Sequence, residues 1–98
     1  MPALINELIQ IEEQSIKIMS HCSKLAIKYS KENDFISDSM FNISKSEERF
    51  VNKITDVIKT LVGDPEQFNK INEKNNKAFI DSKYLQSIYS SIVKRRYK

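Results

Sequence analysis

The sequence predicts an all-α protein, in which a long antiparallel helical hairpin is followed by one or two shorter helices to form a small helical bundle. Its 98 residues include one glycine and two prolines, so few positions interrupt a helix. Apolar residues recur at alternating spacings of three and four along two long segments, which is the period of an α-helix. Gly63, Asp64 and Pro65 form one strong stop and restart, because glycine can close a helix, aspartate can cap the next one and proline can occupy its first position.

A chain of this length makes a single domain, residues 1–98. Within it we expect a hairpin over residues 1–62, C-terminal helices over 64–93 and a basic tail over 94–98. No apolar run approaches the ~20 residues of a membrane span, and the N-terminal residues do not resemble a secretory signal. The single cysteine cannot form an internal disulfide, which favours a reducing compartment. A cytoplasmic location is therefore expected.

Two long helices account for the first 62 residues. The first is predicted from about Ala3 to Ser30 and the second from about Phe35 to Val62, with Asn33 or Asp34 as the intervening cap. Their apolar stripes predict the surfaces buried between the helices. The stripe of the first helix is Leu4, Leu8, Ile11, Ser15, Ile18, Cys22, Leu25 and Tyr29, and that of the second is Ile36, Met40, Ile43, Glu47, Phe50, Ile54, Val57 and Leu61.

A short polar turn between these helices forces them to fold back antiparallel. Leu4 should then lie level with Leu61. After Pro65 the apolar pattern weakens, and asparagine is a poor helix former. We therefore expect a short helix, a break near Asn75 and Asn76, and a last helix from about Ala78.

Polar residues interrupt both stripes at nearly one level of the hairpin, where Glu12, Ser15 and Glu47 come together. A carboxylate in a core stripe costs several kcal/mol unless it is paired or hydrogen-bonded. Glu47 could lie at the edge of the stripe with its head in solvent, or accept a hydrogen bond from Ser15. It could also fix the register of the helices, or bind a metal ion together with Glu12.

The hairpin of residues 4–62 resembles that of ferritin-like, rubrerythrin-type proteins, through Glu12-Glu13 on the first helix and Glu47-Glu48-Arg49-Phe50 on the second. That family places a glutamate on one helix and Glu-x-x-His on the next, and pairs of hairpins hold two iron ions. The resemblance implies Glu12 and Glu47 as metal ligands. Phe50 or Val51 stands where the family has its histidine, so the imidazole ligands are missing.

No other catalytic or cofactor-binding motif is present in the sequence. His21 falls on the polar side of its helix and Cys22 on the apolar side, so the two cannot act as a nucleophile and base. Glycine-rich phosphate loops, zinc-type cysteine spacings and calcium loops are absent. The sequence predicts a protein that is not an enzyme and that needs no cofactor.

Positive charge is concentrated toward the C-terminus, since residues 50–98 contain ten Lys and Arg against five Asp and Glu, within a net charge of +3. Aromatic residues are interleaved with these cations, a pattern typical of surfaces that bind proteins or nucleic acids. The candidate partner-binding residues are Tyr84, Tyr89, Lys94, Arg95, Arg96 and Tyr97.

These observations favour a small helical protein-interaction module, such as a chaperone, adaptor, inhibitor or immunity-type protein that acts by binding a protein partner. The C-terminal half carries more apolar and aromatic residues than the hairpin can cover, so a homo-oligomer is also expected. Two alternatives remain at this stage. The chain could be a degenerate ferritin-like metal-binding hairpin, or a nucleic-acid-associated protein that uses its basic C-terminus.

Overall fold

The structure, a computed structural model, describes residues 2–96 as four helices. They are α1 (Pro2–Lys28), α2 (Asp34–Val62), α3 (Pro65–Ile71) and α4 (Glu73–Arg96). These residues contain no strand, which confirms the predicted all-α class. Among the helices of this part of the chain, none is long and apolar enough to cross a membrane.

The helix boundaries follow the capping residues seen in the sequence. The Asn33 side chain accepts a hydrogen bond of 3.0 Å from the Ile36 N–H and so caps α2. Gly63 ends that helix with a φ of 79°, in the region that favours glycine, and its N–H donates to the Lys59 carbonyl. The Asp64 carboxylate accepts from the Glu66 N–H and starts α3 at Pro65.

The C-terminal half departs from the sequence-based prediction in two places. The break between helices falls at Asn72 rather than at residues 75–76, so Asn75 lies inside α4. The Asn72 N–H closes α3 on the Phe68 carbonyl, while its own carbonyl accepts from the Asn76 N–H and begins α4. Helix α4 then runs on to Arg96, so residues 94–96 form its last turn instead of a separate tail.

Helices α1 and α2 lie antiparallel along a molecule of 49 × 19 × 16 Å. Side-chain hydrogen bonds from Ser23 to Ser44 and from Thr55 to Glu12 join the two helices close to the predicted register. Helix α4 packs along one side of this hairpin, mainly against α1. Helix α3 is short, and its Phe68 is buried.

The core differs from the one that the apolar stripes predict. The buried apolar side chains are few, and on α1 they follow the row that flanks the predicted stripe. Several members of the predicted stripes are instead exposed, including Ile11, Ile18 and Ile43. The cause is the position of α4, which covers the flanking row and leaves the main stripe outside. The buried apolar residues are Ile16, Met19, Cys22, Ala26, Val51, Ile58, Phe68 and Tyr89.

Candidate protein-binding face

Seven large apolar side chains of α1 and α2 are exposed at intervals of seven residues. Each of them is between 37 and 46% accessible to solvent. A seven-residue repeat of apolar positions is the pattern by which helices pack side by side in coiled coils and helical bundles. We call this set the hairpin face, and it consists of Leu4, Ile11 and Ile18 on α1 and Ile36, Ile43, Phe50 and Val57 on α2.

The two rows lie on the same side of the hairpin. On α1, Ile18 directly precedes buried Met19, and on α2, Ile43 directly precedes buried Ser44. The same offset recurs along both helices, so each exposed row is turned by about 100° from the buried row in the same sense. Helix α4 lies on the other side of the buried rows, beside Ile16 on α1 and Phe41 on α2, so both exposed rows lie on the side of the hairpin away from α4.

Between the rows runs a seam of less accessible residues. Leu8, Ile54 and Leu61 are half-buried there, and Cys22 is 9% exposed. Glu47 is half-buried in the same seam. Burial, and next the negative charge of Glu47, raise the pKa of the Cys22 thiol. The thiol is therefore held in its neutral, unreactive form.

The hairpin face is large for a small protein. The α2 row from Ile36 to Val57 spans 21 residues and is about 32 Å long, and the α1 row from Leu4 to Ile18 spans 14 residues and is about 21 Å long. Two helices about 9 Å apart, each about 10 Å across, present a surface about 19 Å wide, so the face covers about 500 Å². Monomeric proteins rarely expose a continuous apolar patch larger than this, and such patches mark interaction sites.

The opposite side of the hairpin, which α4 covers, buries polar side chains among the apolar ones. Ser44 is fully buried and lies 2.7 Å from Ser23, oxygen to oxygen. Its hydroxyl lies 3.0 Å from the Met19 carbonyl, and it also accepts a hydrogen bond of 3.0 Å from the Gln86 amide of α4. These bonds satisfy polar groups that would be costly to bury alone.

Glu12 belongs to this covered side and is 1% exposed. Its carboxylate accepts hydrogen bonds from the Thr55 hydroxyl and from the Asn75 side-chain amide, the latter at 2.8 Å. The Asn75 amide also donates to the Ile9 carbonyl at 3.0 Å. The buried carboxylate is therefore solvated by hydrogen-bond donors of α2 and α4.

The structure does not bring the two candidate metal ligands together. Glu12 lies level with Thr55, and Glu47 lies eight residues earlier on α2, about 12 Å along its axis. Glu47 is also half-buried in the seam of the open side, whereas Glu12 is covered by α4. Within residues 2–96 no three His, Cys, Asp or Glu side chains are grouped so that they could hold a metal ion.

The predicted partner-binding residues of α4 differ in their exposure to solvent. Tyr84 is 66% exposed, and Lys94 and Arg95 are also exposed. Tyr89 is 2% exposed and belongs to the core, so its prediction as a partner-binding residue is wrong. The apolar spacing of the last helix is compatible with an exposed or a buried Tyr89, and the packing of α4 against α2 buries it.

Arg96 is held within the molecule. Its guanidinium donates to the Ser30 carbonyl at 2.7 Å and lies 3.2 Å from the Asp34 carboxylate. This arrangement ties the last turn of α4 to the turn between α1 and α2. Tyr97 lies outside the described residues.

Sequence reasoning missed the hairpin face, although its signal was present. The rows beginning at Leu4 and Ile36 keep an unbroken spacing of seven, but the same residues also fit a buried stripe. Only the placement of α4 shows which part of each stripe is covered.

Comparison of the chain with protein-family models, with curated proteins and with solved structures gave no match in any of the three.

Proposed function

We propose that this chain is a non-enzymatic, cytoplasmic helical module that acts by binding a protein partner through the hairpin face. The observation that supports this proposal is the pair of exposed apolar rows, which run side by side at heptad spacing on the side away from α4. Chaperone, adaptor, inhibitor and immunity-type roles all act by such occlusion, and the proposal covers them as a class.

The driving force for binding is apolar burial. Covering about 500 Å² of surface lined by apolar side chains stabilises the complex by about 25 cal/mol per Å² of apolar surface removed from water. Part of this gain is lost to the entropy of association, so the affinity cannot be calculated from the area. A regular row of branched and aromatic side chains also suits a helical partner, which presents its own ridges at the same spacing.

The nucleic-acid alternative has less support from the position of the basic residues. Arg96 is engaged with Asp34 and Ser30, which leaves Lys94 and Arg95 as the exposed cations of the last described turn. Two cations contribute few phosphate contacts, and affinity for nucleic acid depends on the number of such contacts.

Site-specific photo-crosslinking in the native host tests the proposed function. A benzophenone amino acid at Ile43, in the hairpin face, is expected to form an adduct with a protein. The matched control is the same amino acid at Ile80, which is 57% exposed on α4 and lies outside the face. Protein adducts from Ile43 but not from Ile80 support the proposal, while an absence of protein adducts from Ile43 contradicts it.

A further inference from the structure

We propose that the occupant of the hairpin face is a second copy of this chain, docked face to face so that the two hairpins form a four-helix bundle with each α4 on the outside. This inference rests on the proposed function, because it names the partner of the same face. Three features of the hairpin face support a second copy as its occupant: the geometry of its rows, its area and the charges at its edges.

The geometry of the face is self-complementary. A helix with an apolar repeat of seven packs best on helices with the same repeat, because both then follow one left-handed supercoil. This chain presents that repeat twice, on two antiparallel helices. Another copy supplies a surface of the same length, width and repeat, as a two-fold symmetric interface requires.

The area is enough for a specific dimer. About 500 Å² from each copy gives about 1,000 Å² in total, which is the least that a specific protein interface usually buries. The two rows and the seam between them, all within residues 2–96, are also uniform in character, since Glu47 is their only charged side chain and lies near the middle. An apolar interface with a small polar centre is typical of homodimers.

A two-fold dimer brings opposite charges together at the edges of the face. The outer edges carry Glu7 and Lys28 on α1 and Lys53 on α2, all exposed. Within residues 2–96, neither Glu7 nor Lys53 forms an ion pair. If the two-fold axis runs parallel to the helices, Glu7 lies within two helical turns of Lys53 of the second copy. If the axis instead crosses the helices, Glu7 lies equally near Lys28 of the second copy. Either arrangement favours association at low ionic strength.

Light scattering of the purified chain at micromolar concentration tests the proposal. The wild type is expected to show twice the 11.5 kDa mass of one chain. Phe50→Glu buries a carboxylate in each half of the interface and should raise the dissociation constant by about 100-fold or more. Val57→Glu repeats the test at a second position, and Ile80→Glu is the matched control outside the face, which should remain dimeric. Far-UV circular dichroism shows whether each variant is folded.

The outcomes separate this inference from the proposed function. A dimer that dissociates in folded Phe50→Glu or Val57→Glu, but not in Ile80→Glu, supports a second copy on the hairpin face. A monomeric wild type overturns the inference, and a different protein crosslinked at Ile43 in the host would then leave the proposed function standing. A dimer that survives both face variants also overturns it, because another surface must hold the copies together.

Discussion

The two sides of the α1–α2 hairpin differ in how regular their apolar pattern is. The side covered by α4 is rich in small and polar residues, including Ser23, Ser37 and Ser44, which are fully buried. The open side carries the regular apolar row of Ile36, Ile43, Phe50 and Val57. The covered side therefore buries polar residues beside apolar ones, and the most regular apolar pattern of the hairpin lies on the open side.

The covered side remains stable because its polar groups are paired and its side chains are small. Ser37 donates to the Ala26 carbonyl at 2.8 Å and lies 2.9 Å from the Tyr89 hydroxyl. Serine and alanine occupy little space, so α4 can approach closely. Hydrogen bonds have directional geometry, so this side specifies where α4 lies, whereas apolar contacts tolerate sliding.

Substitutions at the adjacent residues Ser44 and Ile43 should show the largest difference in the free energy of unfolding between the covered and the open side. Ser44→Leu puts a larger side chain into a filled site and leaves the Gln86 amide without its acceptor. We expect a loss of about 2–4 kcal/mol in the free energy of unfolding, from overpacking and an unsatisfied amide. Urea unfolding followed by circular dichroism measures it.

Ile43→Ser is the matched variant on the open side. In an isolated chain this residue is 40% exposed, so its replacement should cost less than about 1 kcal/mol. Measurements at concentrations low enough to dissociate any dimer compare the two variants directly. Equal losses in both would contradict the contrast between the covered and open sides.

The sequence predicted the hairpin, its register, the stop at Gly63 and a cap at Asn33 or Asp34, of which the structure uses Asn33, because these depend on local spacing and on backbone conformation. It did not predict which part of each apolar stripe is buried. Each apolar stripe extends around nearly half of its helix, so a third helix could cover either edge of it. The position of α4 determines which edge is buried, and the apolar pattern of α4 is itself too weak to predict that position.

Asn75 shows the same limit on a smaller scale. Asparagine disfavours helix by a few tenths of a kcal/mol, so a break was expected at this residue. In the structure its side chain donates to Glu12 and to the Ile9 carbonyl. Two buried hydrogen bonds at about 1 kcal/mol each exceed the cost of placing asparagine in a helix. Their partners lie more than sixty residues away in the chain, so no local sequence pattern predicts them.

Tyr89→Phe tests the polar contacts that fix α4 on the covered side. The Tyr89 hydroxyl donates to the Asp38 carboxylate and lies beside Ser37, and both contacts disappear in the variant. We expect the free energy of unfolding at neutral pH to fall by about 1–2 kcal/mol. Tyr84→Phe is the control, since that ring is 66% exposed, and should change it by less than about 0.5 kcal/mol.

The pH dependence of this difference gives a second test. Burial, followed by the hydrogen bond to Asp38, raises the pKa of Tyr89 above the usual tyrosine value near 10. The unfolded chain therefore loses this proton first as the pH rises, and the folded state loses stability from about pH 10 upward. The advantage of the wild type over Tyr89→Phe should be complete below that pH and narrow above it. A stability difference between the wild type and Tyr89→Phe that increases above pH 10 would contradict the burial of this hydroxyl.

The smallest effect is expected for Glu47→Leu, at the seam of the open side. Glu47 is half-buried, and none of its contacts within residues 2–96 is an ion pair. Leucine continues the apolar pattern from Ile43 to Phe50 and removes a desolvation cost. Thermal unfolding should therefore show unchanged stability or a gain of up to about 1 kcal/mol.

The same variant separates an interaction face from a metal site. If two copies dock through the hairpin face, Glu47→Leu removes a carboxylate near the centre of the interface and should tighten the dimer. If Glu47 binds a metal ion, the change should instead remove the metal and its stabilisation, since a ligand bound to the native state adds to the free energy of unfolding. The decisive measurements are metal content by mass spectrometry and the melting temperature with and without a chelator. Stoichiometric iron, manganese or zinc in the wild type, lost together with stability in Glu47→Leu, would show that the ferritin-like resemblance reflects function. A variant that holds its melting temperature and dimerises more tightly would place Glu47 in a protein interface, where a single carboxylate limits how strongly the two copies adhere.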